Sequence, residues 1–159
     1  MTITKEQAQT ALQDLLRHMN VSAEVLVTDT EERISLEIKG EESALLIGKK
    51  GQTLDALQYM VNKIVCKGLP EGERTRPVQV DAEGYRSRRA ETLTDLAHSL
   101  AEKVRGTGRP VELDPMTAMD RRIVHMALAE SEGVETRSEG EGIYRHLVIF
   151  PKKQGDSLQ

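Results

Sequence analysis

Two short constellations in this 159-residue sequence combine residue types able to hold a phosphate. The first is Gly48-Lys49-Lys50-Gly51. Glycines carry no Cβ, so a sugar-phosphate backbone can approach them closely. The two lysines add charge. A helix beginning just after Gly51 would aim its N-terminal N–H groups and positive dipole end at the same spot. Taken by spacing alone, the same four residues also read as a corner between two helices with solvated lysines. No G-x-x-x-x-G-K-[ST] follows a strand, which disfavours a nucleotide-hydrolysing phosphate loop.

The second constellation is Arg121 with His125. A spacing of i, i+4 puts both on one helix face, with Arg122 turned roughly 100° away. A guanidinium fork beside an imidazole N–H can grip one phosphate from two sides. From spacing alone an exposed polar face with a satisfied histidine is the favoured reading. A third set, Tyr85, Arg86, Arg88 and Arg89, opens a long helix ahead of its apolar stripe. These side chains are expected to be exposed, with Arg86 and Arg89 extending a basic path. Cations at a helix N-terminus oppose the dipole, so a compensating phosphate or acidic side chain is expected, Glu83 or Glu91 being near in sequence. Arg137 and Arg145 are weaker candidates for the same path.

No catalytic apparatus accompanies these groups. His18, His98 and His146 lie far apart without metal-ligand spacing. No nucleophile elbow or H-E-x-x-H occurs. A phosphate-handling enzyme would need His125 as acid/base and Arg121 as charge stabiliser, and no nucleophile or second catalytic group stands near them. Neither metal nor cofactor is expected, and no enzymatic activity.

The elements that would position these residues are legible from periodicity. Thr4 and Gln7 fit a capping box, and Ala8, Ala11, Leu12, Leu15 and Met19 follow at helical spacing. Ala23, Val25 and Val27, then Ile34, Leu36 and Ile38, alternate as an antiparallel strand pair. Glu42 to Ile47 reads as a short helix, Leu54 to Val65 as a longer one, and Leu69 to Arg76 as a loop. Val78 and Val80 make a third strand. The second half opens with a helix carrying Leu93, Leu96, Ala97, Leu100, Ala101 and Val104, stopped near Gly106 and Gly108. A short strand at Val111 and Leu113 comes next. Thr117 caps a further helix to about Glu130, and Val134–Glu139 with Tyr144–Phe150 form a hairpin.

Composition bounds the rest. The formal net charge is −4, so any attraction for phosphate must come from local basic groups, acting within about 8–10 Å. Aromatics are 3% of the chain, so few bases could stack. Cys66 is the single cysteine, which excludes an internal disulfide and reads as a small hydrophobe. No apolar run of about 18 residues exists and the N-terminus shows no leader pattern, so a cytoplasmic protein without membrane contact is expected.

Leu46-Ile47-Gly48-Lys49-Lys50-Gly51-Gln52-Thr53-Leu54, in its order of elements, resembles the signature of KH domains of the bacterial type II arrangement. That resemblance implies that Gly48, Lys49, Lys50 and Gly51 clamp about four nucleotides of single strand, with Ile38, Ile47 and Leu54 as groove wall or core. Met116–His125, Val134–Gly140 and Val148–Lys152 are similar to the domain named for arginine, three residues, histidine, whose members bind single-stranded nucleic acid through Arg121 and His125. The fold expected is α+β: a type II KH domain (α-β-β-α-α-β) over 1–83, a small α/β Arg-xxx-His domain over 84–152 and a polar tail over 153–159.

The pairing resembles the bacterial Jag family, also called KhpB or EloR. The resemblance implies a single-stranded RNA-binding protein, an RNA chaperone or post-transcriptional regulator tied to cell elongation and envelope growth, and a small KH-only partner of the KhpA type. Single-stranded DNA binding and a protein-interaction adaptor are the alternatives. Family members carry a further N-terminal domain and linker; this sequence starts at the KH helix, so that domain's functions are not expected here.

Overall fold

Helix α1 (Lys5–His18) starts at the expected capping box: Thr4 Oγ1 accepts the Gln7 N–H at 3.3 Å, and Gln7 Oε1 accepts the Thr4 N–H at 3.1 Å. The computed structural model describes residues 3–67, 69–70 and 76–152. Parts of the expected Leu69–Arg76 loop, and the tail from residue 153, lie outside them. The chain divides into two compact units, Met1–Arg86 and Ser87–Gln159.

In the first unit, β1 (Glu24–Asp29) pairs antiparallel with β2 (Ile34–Lys39), and β3 (Val78–Ala82) runs parallel to β2 on its other side. Alternation puts Ile34, Leu36 and Ile38 of the central strand into the core, together with Val78, Val80 and Ala82 of β3. Helices α1 and α2 (Gln52–Val65) cover them with Leu12, Leu16, Leu54, Leu57 and Val61. The crossover from β2 to β3 carries two 3-10 turns, Ser43–Leu46 and Lys49–Gly51, before α2. The short helix expected at Glu42–Ile47 is therefore a tighter turn, closed at its start by a Ser43 N–H to Gly40 carbonyl bond of 3.1 Å.

The outer edge of β3 is closed by side chains. Asn62 donates to the Val78 carbonyl at 2.7 Å and accepts its N–H at 3.1 Å; Gln58 Oε1 accepts the Val80 N–H at 3.0 Å; Arg86 Nε donates to the Val80 carbonyl at 2.9 Å. Three residues thus satisfy backbone groups that an open edge would offer to another strand.

The second unit contains most of α3 (Tyr85–Thr107), then β4 (Val111–Glu112), α4 (Ala118–Leu128), β5 (Val134–Glu139) and β6 (His146–Pro151). Its antiparallel sheet has the order β4-β6-β5. Leu93, Ala97, Ala101 and Val104 of α3 pack with Val124, Leu128, Leu147 and Ile149. Leu96, expected in the stripe, faces solvent at 42% exposure. Gly106 lies inside α3, and the helix ends before Gly108, whose φ is +64°.

Candidate nucleic-acid interface

The Gly48–Gly51 loop is shaped by backbone conformations rather than by side-chain caps. Gly48, Lys50 and Gly51 have φ of +68°, +53° and +81°. That succession turns the chain sharply into α2, whose start receives no side-chain hydrogen bond at Gly51. The N–H groups of Gly51, Gln52 and Leu54 instead donate to the carbonyls of Gly48, Lys49 and Ile47 in the preceding turn. Gly48 and Lys49 are exposed, Lys50 half-buried and Gly51 buried. A Cβ on Gly51 would lie 2.8 Å from Cε1 of Tyr85, and one on Gly48 would collide with Oγ1 of Thr53. Both glycines are thus required by the protein's own packing. What the loop presents outward is the Lys49 side chain and the start of α2.

Ile38 and Leu54 are fully buried, and Ile47 is half-buried against the same core. Of the two roles allowed for them, core is the one observed. Cys66 also packs partly buried on this core.

Arg86 and Arg89 depart from the expected exposed path. Arg86 donates through Nη1 to Asp55 at 2.8 Å and through Nη2 to Gln58 at 3.2 Å, besides its bond to the Val80 carbonyl. Arg89 donates through Nε at 3.2 Å and Nη2 at 2.9 Å to one oxygen of Asp120. Their side chains are 18% and 21% exposed. The compensating groups are acidic side chains, and they are Asp55 and Asp120 rather than Glu83 or Glu91. Helical spacing could not find them, because both are distant in sequence. Glu83 is engaged elsewhere, accepting from the Gly40 N–H at 3.1 Å and Lys39 Nζ at 3.3 Å.

In the second unit, Thr117 caps α4 as expected, accepting the Asp120 N–H at 3.2 Å. Arg121 is half-buried and donates through Nη1 to the Met116 carbonyl at 2.7 Å. His125 is exposed, and its Nδ1 lies 2.6 Å from Thr136 Oγ1. A neutral imidazole that accepts the Thr136 hydroxyl at Nδ1 carries its proton on Nε2, where it can donate to an anion. The two residues are each oriented by one bond to their own chain. Arg122 is exposed, as its angular offset requires.

The hairpin arginines separate. Arg137 lies over the Phe150 ring, 5.1 Å from its centroid, and pairs with Glu135. Arg145 donates through Nε to Ser138 Oγ at 2.8 Å and is exposed. Among the described residues, no group of three or more His, Cys, Asp or Glu could hold a metal, and no helix is long and apolar enough to cross a membrane.

Comparison with known proteins divides the chain in the same way. Residues 5–80 match the KhpA/KhpB, KH domain family, and residues 91–151 match the R-3-H domain, the arginine–histidine module. The RNA-binding protein KhpB of Clostridium symbiosum is 41% identical over 152 residues, covering 94% of this chain and 67% of the relative. The RNA-binding protein KhpB of Bacillus subtilis is 38% identical over 150 residues, covering 93% and 71%. The protein of that name in Lactiplantibacillus plantarum is 36% identical over 152 residues and is covered over 46% of its length.

Proposed function

The chain belongs to the KhpB family, and on that premise we propose that it binds single-stranded RNA without catalysis, at the Gly48–Gly51 loop and at Arg121 with His125. The observation that carries the reading is the loop itself. Positive-φ turns deliver an exposed lysine to the start of a 14-residue helix that no side chain caps. A phosphate there meets the positive end of the helix dipole and a lysine together. Arg121 and His125 supply a second grip, each pre-oriented by its own hydrogen bond.

The experiment is equilibrium binding of a labelled single-stranded RNA by Lys49→Asp with Lys50→Asp, and separately by Arg121→Ala with His125→Ala. Each pair lowers affinity by about tenfold or more at low salt. The lysine pair melts close to the parent, whereas the Arg121/His125 pair melts somewhat lower because the Met116 carbonyl loses its donor, so its affinity is measured well below its melting temperature. Lys50 tolerates Asp because its left-handed backbone favours that residue over most others. Unchanged affinity in both variants would falsify the assignment. A single-stranded DNA competitor in the same assay decides between the two nucleic acids.

Beyond binding, the family resemblance supports an RNA chaperone or post-transcriptional regulator linked to cell elongation and envelope growth, acting in the cytoplasm with a small KH-only partner of the KhpA type. Pull-down with and without ribonuclease checks the partner: retention after RNA removal supports direct contact, the adaptor reading.

A further inference from the structure

Ile143 and Tyr144 are 83% and 72% exposed at the tip of the β5–β6 hairpin, the two most exposed large apolar side chains among the described residues. They do not sit in loose chain. The turn Gly142–Tyr144 is closed by a Tyr144 N–H to Glu141 carbonyl bond of 3.1 Å and an Arg145 N–H to Gly142 carbonyl bond of 3.3 Å. Gly140 and Gly142 supply its positive φ values of +83° and +55°.

The tip is continuous with the Arg121–His125 grip. His125 bonds Thr136 and Arg145 bonds Ser138, and these two residues of β5 point to the same face of the strand. The residues that hold the imidazole and the guanidinium therefore lie along one strand face, roughly 7 Å apart by strand rise. Met116 ties the other side: its carbonyl accepts from Arg121 Nη1 at 2.7 Å, and its N–H donates to the Arg145 carbonyl at 3.2 Å. Arg145 uses only Nε on its own chain among the described residues, leaving the guanidinium terminus exposed.

We propose that this tip is a base-stacking subsite, with an unstacked base lying on the Tyr144 ring against Ile143 and the adjoining phosphate held by Arg145. It rests on the reading that Arg121 and His125 hold nucleic acid, and it extends that path by one nucleotide. The chemistry matches: a base offers a flat apolar face, and its phosphate offers the charge an exposed guanidinium needs. Glu139 points to the opposite strand face, since it is odd in the alternation with Ser138.

The test is binding of a uridine-only RNA oligomer by the full chain over a series of salt concentrations, alongside an abasic oligomer of equal length. Tyr144→Ala lowers affinity for the RNA by about tenfold with an unchanged salt slope, and leaves the abasic strand's affinity alone. Tyr144→Phe binds like the parent. Arg145→Ala reduces the salt slope by about 0.7, the share of one single-strand phosphate. Normal RNA binding by Tyr144→Ala overturns this subsite and leaves the Arg121–His125 assignment standing. Failure of the unaltered chain to bind either oligomer overturns both.

Discussion

The guanidinium of Arg86 donates to Asp55 across 2.8 Å, in the first turn of the helix that begins after Gly51. A carboxylate in the first turn favours the helix dipole but repels any phosphate arriving at the same end. Arg86 offsets that repulsion without touching the ligand. We expect Arg86→Met to weaken RNA binding about threefold, the scale of one surface charge effect, and to lower stability because the Val80 carbonyl loses its donor. Adding Asp55→Asn restores affinity but not stability. Fluorescence anisotropy and urea denaturation on the same samples separate the two effects.

Arg89 and Asp120 form the corresponding pair in the second unit, and here the acidic side chain is 7% exposed. Removing one partner leaves the other charge buried alone, at a cost of about 3–5 kcal/mol. Arg89→Met should therefore destabilise the second unit strongly, and Arg89→Met with Asp120→Asn much less. Asp120 immediately precedes Arg121, so loss of RNA affinity in Arg89→Met should track loss of folded protein, followed by circular dichroism. A variant that stays folded yet does not bind would return Arg89 to the ligand path.

Gly51 and Tyr85 make a steric pair. Alanine at 51 meets both a φ of +81° and a ring carbon 2.8 Å from its Cβ. The conformational strain alone is about 1–2 kcal/mol. Gly51→Ala should cost more than that in the parent and only the conformational part in a Tyr85→Ala background. A double-mutant cycle on unfolding free energy gives the difference; additive effects would mean that the ring simply swings away.

Glu83 gives the first unit an acid-sensitive joint. Its carboxyl is held below the ordinary value of 4.5, first by the Gly40 N–H and then by Lys39. A depressed carboxyl stabilises the fold above its unfolded value and gives the contribution up as pH falls through the folded one. Lys39 works at the other limit: raised above 10.5, chiefly by its hydrogen bond to Glu83, it loses its contribution as pH rises beyond that value. Glu83→Gln should flatten the fall in melting temperature as pH drops below 4.5. An identical acid limb in the variant would remove Glu83 from the account.

Much of this was legible in the sequence because local signals were unambiguous. Thr4 with Gln7 and Thr117 with Asp120 cap the helices where their side chains predict, since a cap depends on three neighbouring residues alone. Ile34, Leu36 and Ile38 alternate because one sheet face is buried. What was not legible depends on partners far along the chain. The contact between Gly51 and the Tyr85 ring spans thirty-four positions of sequence. Arg86 and Arg89 looked exposed because they precede the apolar stripe of their helix, and nothing local announces Asp55 or Asp120. The exposed Tyr144 tip was hidden in a segment that reads only as strand and turn.

The most direct measurement is the affinity of the full chain for single-stranded RNA at low and moderate salt, compared with Lys49→Asp/Lys50→Asp and with Arg121→Ala/His125→Ala. The account predicts that the parent binds, and that each double variant loses about tenfold or more at low salt while still folded at the temperature of the assay. Equal binding by parent and both variants would contradict it.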